Sequence, residues 1–210
     1  MTIVVGDGLQ GYAPNAPYHR IIATGSAASI PSAWIEQLAP GGLLIVNLQR
    51  PLLNVILLIK KQDKTMSGQV TRCRGMFMKL HDGERVEPAK RPRGLINPVI
   101  ERLTAGSFCP KNLFNTDFAF FLQCHLPAAM AYRMTKGQEQ FSYLYDQSTE
   151  RVIRFDTEVV RGSHDLWQQL CSIALAFQRL GQPGRFEYIF QITDDGRQVF
   201  RLGEHCWQML

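Results

Sequence analysis

Near the amino terminus, Gly6-Asp7-Gly8-Leu9-Gln10-Gly11 matches the pattern G-x-G-x-x-G and follows a β-branched run, Thr2 to Val5. Such a pattern binds a dinucleotide pyrophosphate when its glycines open a helix whose amino terminus faces the phosphates. The surroundings argue against that here. Pro14 and Pro17 stand where the helix would run. The stretch about twenty residues on, Thr24-Gly25-Ser26-Ala27-Ala28, holds no acid to take a ribose hydroxyl. Read locally, Asp7-Gly8 is a turn pair and Gly25 to Ala28 a small-residue loop. A metal centre has no better support, because Cys124-His125 and His205-Cys206 stand alone, without Cys-x-x-Cys or His-x-x-x-His spacing. The five cysteines are odd in number and irregularly spaced, which suits reduced, buried thiols. No metal is expected.

The elements that must position these residues follow from hydrophobic period. Thr2 to Val5 and Arg20 to Thr24 read as buried strands, and Ser32 as the cap of a helix carrying Trp34, Ile35 and Leu38. Pro40-Gly41-Gly42 breaks that helix ahead of a third strand, Leu43 to Leu48. Strand, loop, strand, helix, turn, strand is the rhythm of a parallel α/β sheet. Asn54 to Lys61 and Gln69 to Leu80 read as a closing hairpin around Gln62 to Gly68. The Pro-, Gly- and charge-rich stretch 81–111 reads as a linker with a short helical segment at Val99 to Leu103. Residues 112–210 are expected to form a smaller α+β domain. Its strands are Phe118 to Gln123, Phe141 to Tyr145 and Val152 to Phe155, and its helix is capped by Ser163 and stopped by Gly181 and Pro183. A final hairpin joins Tyr188 to Thr193 and Gln198 to Leu202 through Asp194-Asp195-Gly196.

Over a longer span the first segment becomes specific. Val4-Val5-Gly6-Asp7-Gly8, Gly11, Ala16-Pro17-Tyr18, Arg20-Ile21-Ile22, Thr24, Ile30-Pro31, Glu36-Gln37-Leu38 and Pro40-Gly41-Gly42 together resemble the second half of protein-L-isoaspartate O-methyltransferases. The likeness is close over roughly the first 50 residues and weakens toward Leu80. It implies a partial class I (Rossmann-like) methyltransferase sheet over residues 1–80, with strand order three, two, one, four, five, seven, six and the first strands lacking. It also implies S-adenosylmethionine as cofactor. Asp7 would accept a hydrogen bond from the adenine amino group, and Gly8 would permit close approach. Thr24, Gly25, Ser26 and Ala27 would form the turn beside the transferred methyl and the substrate carboxyl. The Gly-rich loop and the ribose-binding acid would precede Met1, so a truncated or split chain with a complementary amino-terminal fragment is expected. His19, Asn47 and Gln49 depart from the pattern, where Asp, Pro and Gly are usual.

In the second half, Asp117-Phe118-Ala119-Phe120, Gln123, His125-Leu126-Pro127, Leu166-Trp167, Gly181-Gln182-Pro183-Gly184-Arg185 and Asp195-Gly196-Arg197-Gln198-Val199 are similar to the extension of such enzymes in actinobacterial peptide-modification pathways. A peptide or protein Asp/isoAsp carboxylate is therefore the expected substrate. Methyl transfer to a carboxylate needs alignment more than acid–base help, because the nucleophile is already ionised at neutral pH. The absence of a Ser-His-Asp or paired-carboxylate set is thus consistent with an enzyme, and no catalytic side chain is assigned. A non-catalytic peptide-binding module derived from such an enzyme is the alternative. The net charge of +5, with 23 basic and 18 acidic residues, suits an acidic peptide better than nucleic acid, because the basic cluster at Arg85, Lys90, Arg91 and Arg93 carries no stacking aromatics. No apolar run approaches a membrane span and no secretory signal is evident, so a cytoplasmic location is expected.

Overall fold

The computed structural model describes residues 2–63, 65–73, 75–80, 99–103, 108–156 and 159–209. In chain order the elements are β1 (Tyr18–Ala27), α1 (Ser32–Gln37), β2 (Leu38–Arg50), β3 (Leu53–Gln62), β4 (Thr65–Val70) and β5 (Val99–Arg102). There follow α2 (Thr116–His125), β6 (Ala129–Lys136), β7 (Glu139–Asp146), β8 (Arg151–Phe155) and β9 (Val159–Gly162). The chain closes with α3 (His164–Arg179), β10 (Ile189–Ile192), β11 (Gln198–Leu202) and β12 (His205–Gln208). They form two compact units, Met1–Arg50 with Asn54–Pro88 and Phe186–Leu210, and Pro51–Leu53 with Ala89–Arg185.

The first unit is an α/β structure on a mixed sheet of order β1-β2-β3-β4-β10-β11-β12. β1 and β2 run parallel, Ile21 opposite Leu44, while β3–β4, β4–β10, β10–β11 and β11–β12 are antiparallel. Leu53, Val55, Leu57 and Ile59 alternate into the core, as a period of two requires. The run Thr2 to Val5 is not a strand; Val5 is 98% exposed. β-branched propensity makes a strand only where a neighbour completes the ladder, and no described segment pairs with this run.

The hairpin is also shifted from its expected place, closing between Gln62 and Thr65 through Asp63 at φ 46°. Met66, Gly68 and Val70 point inward while Thr65, Ser67 and Gln69 give β4 the look of a polar loop. So tight a turn makes β3 and β4 neighbours. The sheet runs β2-β3-β4, so the hairpin's first strand lies beside β2, where the resemblance implied its second. Gly68 fits because a Cβ there would lie 2.5 Å from the Leu58 carbonyl oxygen. The boundary expected at residue 112 also differs from the one observed. β10 pairs with β4, Phe190 opposite Gly68, so residues 186–210 extend the first sheet and bury Tyr188, Phe190 and Phe200 there. An unsatisfied strand edge recruits a partner regardless of sequence distance.

The second unit has an antiparallel sheet of order β5-β9-β8-β7-β6, with α2 and α3 packed together. Two expectations fail here. Phe118 to Gln123 belong to α2, whose cap Asn115 accepts hydrogen bonds from the Asp117 and Phe118 amides at 3.0 Å. Because Phe118 to Cys124 are all buried, no polar face revealed the helical period. Val99 to Arg102 form β5 on the edge of β9, not a helix. Most of the expected linker, 81–98 and 104–107, lies outside the described residues. β6, β9 and β12 were not foreseen. α3 matches its expectation: the Ser163 hydroxyl accepts from the Leu166 amide, and Leu166, Trp167, Leu170, Ile173 and Phe177 are buried.

The turn after β7 is held by Asp146, only 5% exposed, which accepts from the Ser148 amide at 3.1 Å and from the Ser148 and Thr149 hydroxyls at 2.7 Å. Burial pushes its carboxyl up, but the Thr149 and Ser148 hydrogen bonds and the Arg151 charge together hold it below the usual value of 3.8. A depressed folded pKa gives stabilisation that is complete above about pH 3.8 and lost as pH falls through the folded value. Asp146→Ala is expected to cost about 1–3 kcal/mol in urea unfolding at neutral pH. The difference from the parent should shrink in acid; a constant difference down to the acid limit would contradict the assignment.

Candidate functional site

The site is built at the carboxyl end of β1 and the loop that precedes it. The Asp7 carboxylate accepts the Leu9 amide at 2.9 Å and so caps a 3-10 turn, Gly8–Gln10. Gly11, at φ 61°, closes the turn, and a side chain there would run into the amide of Gln37. One face of α1 clamps this loop. Trp34 Nε1 donates to the Gly8 carbonyl at 2.8 Å, and Gln37 accepts from the Tyr12 amide and donates to the Gln10 carbonyl, both at 2.8 Å. The Tyr18 hydroxyl adds a 2.6 Å bond to the Tyr12 carbonyl.

Between loop and strand lies a cavity of about 390 Å³, lined by Gly8, Tyr12, Thr24, Gly25, Trp34 and Leu80 among others. A second, of about 360 Å³, is bordered by Ala27, Ala28, Pro31 and Lys79, and Leu80 lines both. The fold therefore brings Gly8, Thr24 and Gly25 to one cavity and Ala27 to its neighbour. Asp7 is exposed and lines neither. Ser26 is fully buried. Its amide donates to the Met78 carbonyl at 2.8 Å, its carbonyl accepts the Leu80 amide at 2.9 Å, and its hydroxyl donates to Gln49 Oε1 at 2.7 Å. With every polar group engaged, Ser26 fixes the turn and leaves contact to its neighbours. His19 is exposed on β1 and lines neither cavity.

Two departures from the family pattern have structural partners. Gln49 serves Ser26, and buried Asn47 donates to Asn54 Oδ1 at 2.6 Å and the Val55 carbonyl at 3.1 Å while accepting from the Phe77 amide at 3.3 Å. Gln49→Leu is expected to cost about 1–3 kcal/mol, because the Ser26 hydroxyl loses its acceptor in a buried site. Adding Ser26→Ala should recover most of that loss. Additive costs in denaturant unfolding would show that the bond carries no weight. Trp34, Gln37 and Leu80 were not assigned from sequence. Gln37 stands inside the Glu36-Gln37-Leu38 signature, the one signal that could have pointed to it.

Among the described residues no group of three or more His, Cys, Asp or Glu is placed to hold a metal ion. No helix there is long and apolar enough to cross a membrane.

Residues 1–85 match the family model described as Protein-L-isoaspartate(D-aspartate) O-methyltransferase (PCMT). A protein-L-isoaspartate O-methyltransferase of Hyperthermus butylicus is 43% identical over 75 residues, which are 35% of this chain and 31% of that protein. One from Methylibium petroleiphilum is 38% identical over 96 residues, 43% of this chain and 31% of the relative. A solved protein-L-isoaspartate O-methyltransferase aligns with 95% of this chain and 59% of its own, at 17% identity and a TM-score of 0.43. The segment 1–85 is thus similar to protein-L-isoaspartate O-methyltransferases, a family of methyltransferases. The chain covers less than a third of the length of either of these relatives.

Proposed function

We propose that this chain carries part of an S-adenosylmethionine-dependent carboxyl O-methyltransferase that acts on an Asp or isoAsp carboxylate of a peptide or protein. The observation that carries this reading is that the family-matched residues bring Gly8, Thr24 and Gly25 around a single cavity. The residues present suit the adenine end of the cofactor. Asp7 uses one carboxylate oxygen on Leu9, and the Cβ position of Gly8 is open to 3.9 Å, leaving an acceptor and a flat approach side by side. When bound, S-adenosylmethionine supplies an electrophilic methyl group. Thr24, Gly25 and Ala27 border the substrate backbone, with Ser26 holding their turn, and their small side chains leave room for a carboxylate oxygen to align and for water to be excluded.

The remaining cofactor contacts are assigned by the resemblance to a Gly-rich loop and a second acidic strand. A complementary amino-terminal segment, on a separate or a longer chain, is thus part of the proposal. The outer edge of β1 ahead of Ser26 supports it: the strand is terminal in its sheet and Ile22 is 69% exposed, while Met78 to Leu80 occupy that edge only at Ser26. The similarity of the second half to peptide-modifying enzymes supports a peptide substrate, and the free cysteines support a reducing, cytoplasmic setting.

The test is calorimetric titration with S-adenosylmethionine, with and without an added fragment carrying those strands, followed by transfer of labelled methyl to an isoAsp peptide. Binding and transfer are expected only with the fragment, and Asp7→Ala should weaken binding by about 1–3 kcal/mol. Peptide binding without methyl transfer in the complemented protein would overturn the enzyme reading in favour of a binding module.

A further inference from the structure

The sheet of the second unit carries a charged face that methyl transfer does not use. Arg154 on β8 and Arg161 on β9 stand directly opposite each other, and Tyr143 on β7 is opposite Arg154. Like charges in opposed positions repel. Asp156 relieves this pair, its oxygens lying 2.8 and 3.0 Å from Nε and Nη2 of Arg154 and 3.2 Å from Nε of Arg161. One carboxylate thus serves two guanidiniums, and among the described residues the terminal nitrogens of Arg161 have no acceptor. The groove over this face, about 1260 Å³, is also bordered by Arg102, Lys111 and Glu139, so four cations face two acids. Neither Arg102 nor Lys111 forms an ion pair with a described residue. Its floor is aromatic: Arg154 lies 5.0 Å over Phe141, and Tyr143 stacks on Tyr132 at 4.9 Å.

We propose that this groove docks an acidic stretch of the peptide substrate, a carboxylate of that stretch taking the free fork of Arg161 while its neighbouring side chains lie on the tyrosine and phenylalanine rings. The inference rests on a peptide being the substrate and adds where, outside the methyl-transfer cavity, it is recognised. Charge complementarity selects the occupant. A guanidinium fork matches a carboxylate bidentately, whereas two acids inside the groove disfavour a continuous polyphosphate backbone.

Fluorescence anisotropy on the whole chain, with no cofactor present, tests it. The probes are a short labelled peptide alternating Asp and Tyr, its Asn-for-Asp counterpart, and a labelled single-stranded RNA of equal length. The Asp peptide should bind about tenfold more tightly than the Asn peptide and RNA, and its affinity should fall as salt rises. Arg161→Gln and Arg161→Lys should each weaken it about tenfold, the second by keeping charge but losing the fork. Arg201→Gln, at an exposed position of β11, should leave it unchanged. Equal affinity for the Asp and Asn peptides, tighter binding of RNA, or unchanged binding by a folded Arg161→Gln would each overturn the inference. The peptide comparison needs no variant, so misfolding of a variant cannot blur it. Methyl transfer without docking sinks this inference alone; docking without methyl transfer sinks the enzyme reading alone.

Discussion

Trp167→Ala is expected to destabilise the second unit by about 3–5 kcal/mol, the largest stability effect anticipated for a single side chain here. The indole is 3% exposed. It meets Phe155 and Phe108 with ring centroids 5.8 and 6.4 Å away, and its Nε1 donates to Glu101 Oε2 at 2.7 Å. Alanine removes the apolar surface and leaves a cavity between α3 and β8, and the lost hydrogen bond adds to that. Trp167→Phe keeps most of the volume and should cost about 1–2 kcal/mol, close to the hydrogen bond alone. Urea midpoints for the three proteins should fall in the order parent, Trp167→Phe, Trp167→Ala.

The same substitution has a chemical readout. Burial, with the Glu101 charge adding to it, pushes the Cys171 thiol up to about 11, so the parent holds little thiolate there at mildly alkaline pH. Cys73, Cys109 and Cys206 are exposed and should react quickly with a disulfide reagent, while buried Cys124 and half-buried Cys171, with its raised pKa, lag. Opening the Trp167 site should move Cys171 into the fast group. An unchanged fast fraction together with an unchanged midpoint would mean that the aromatic cluster does not hold this unit together.

α3 was legible in the sequence and α2 was not, although both are helices of the same unit. α3 presents a polar side to solvent, so Leu166, Leu170, Ile173 and Phe177 stand out at helical spacing. Phe118 to Cys124 are buried all round, and a helix without a wet face shows no period to read. Its cap, Asn115, shows only in the structure, through the Asp117 and Phe118 amides. The strands misplaced at Thr2 to Val5 and Gln69 to Leu80 share another cause, since pairing depends on a neighbour that local sequence does not name. Of the residues singled out through the long family pattern, the structure brings Gly8, Thr24 and Gly25 to one cavity and Ala27 to its neighbour, while Asp7 lines neither. The partners that shape the site are tertiary. Trp34 reaches Gly8 across 26 residues, Gln49 reaches Ser26 across 23, and Leu80 returns from beyond β4.

That return makes Gly25→Ala the substitution expected to damage function most. A Cβ on Gly25 would lie 2.5 Å from both Cγ and Cδ2 of Leu80, inside any permissible contact. Leu80 cannot simply withdraw, because its amide is tied to the Ser26 carbonyl at 2.9 Å and the preceding Met78 carbonyl to the Ser26 amide at 2.8 Å. The side chain must therefore rotate, and both cavities it lines change shape. Overpacking of this kind costs about 1–3 kcal/mol of stability. In the complemented enzyme a misplacement near 1 Å beside the reacting carboxylate should lower kcat/KM by roughly a hundredfold. Leu80→Ala removes the colliding atoms, so the double variant Gly25→Ala/Leu80→Ala should be more stable than the sum of its single changes implies and should regain part of the lost kcat/KM. Strict additivity in both measurements would mean that Leu80 does not define the cavity wall. Full activity of Gly25→Ala alone would remove residues 24–27 from the reacting centre.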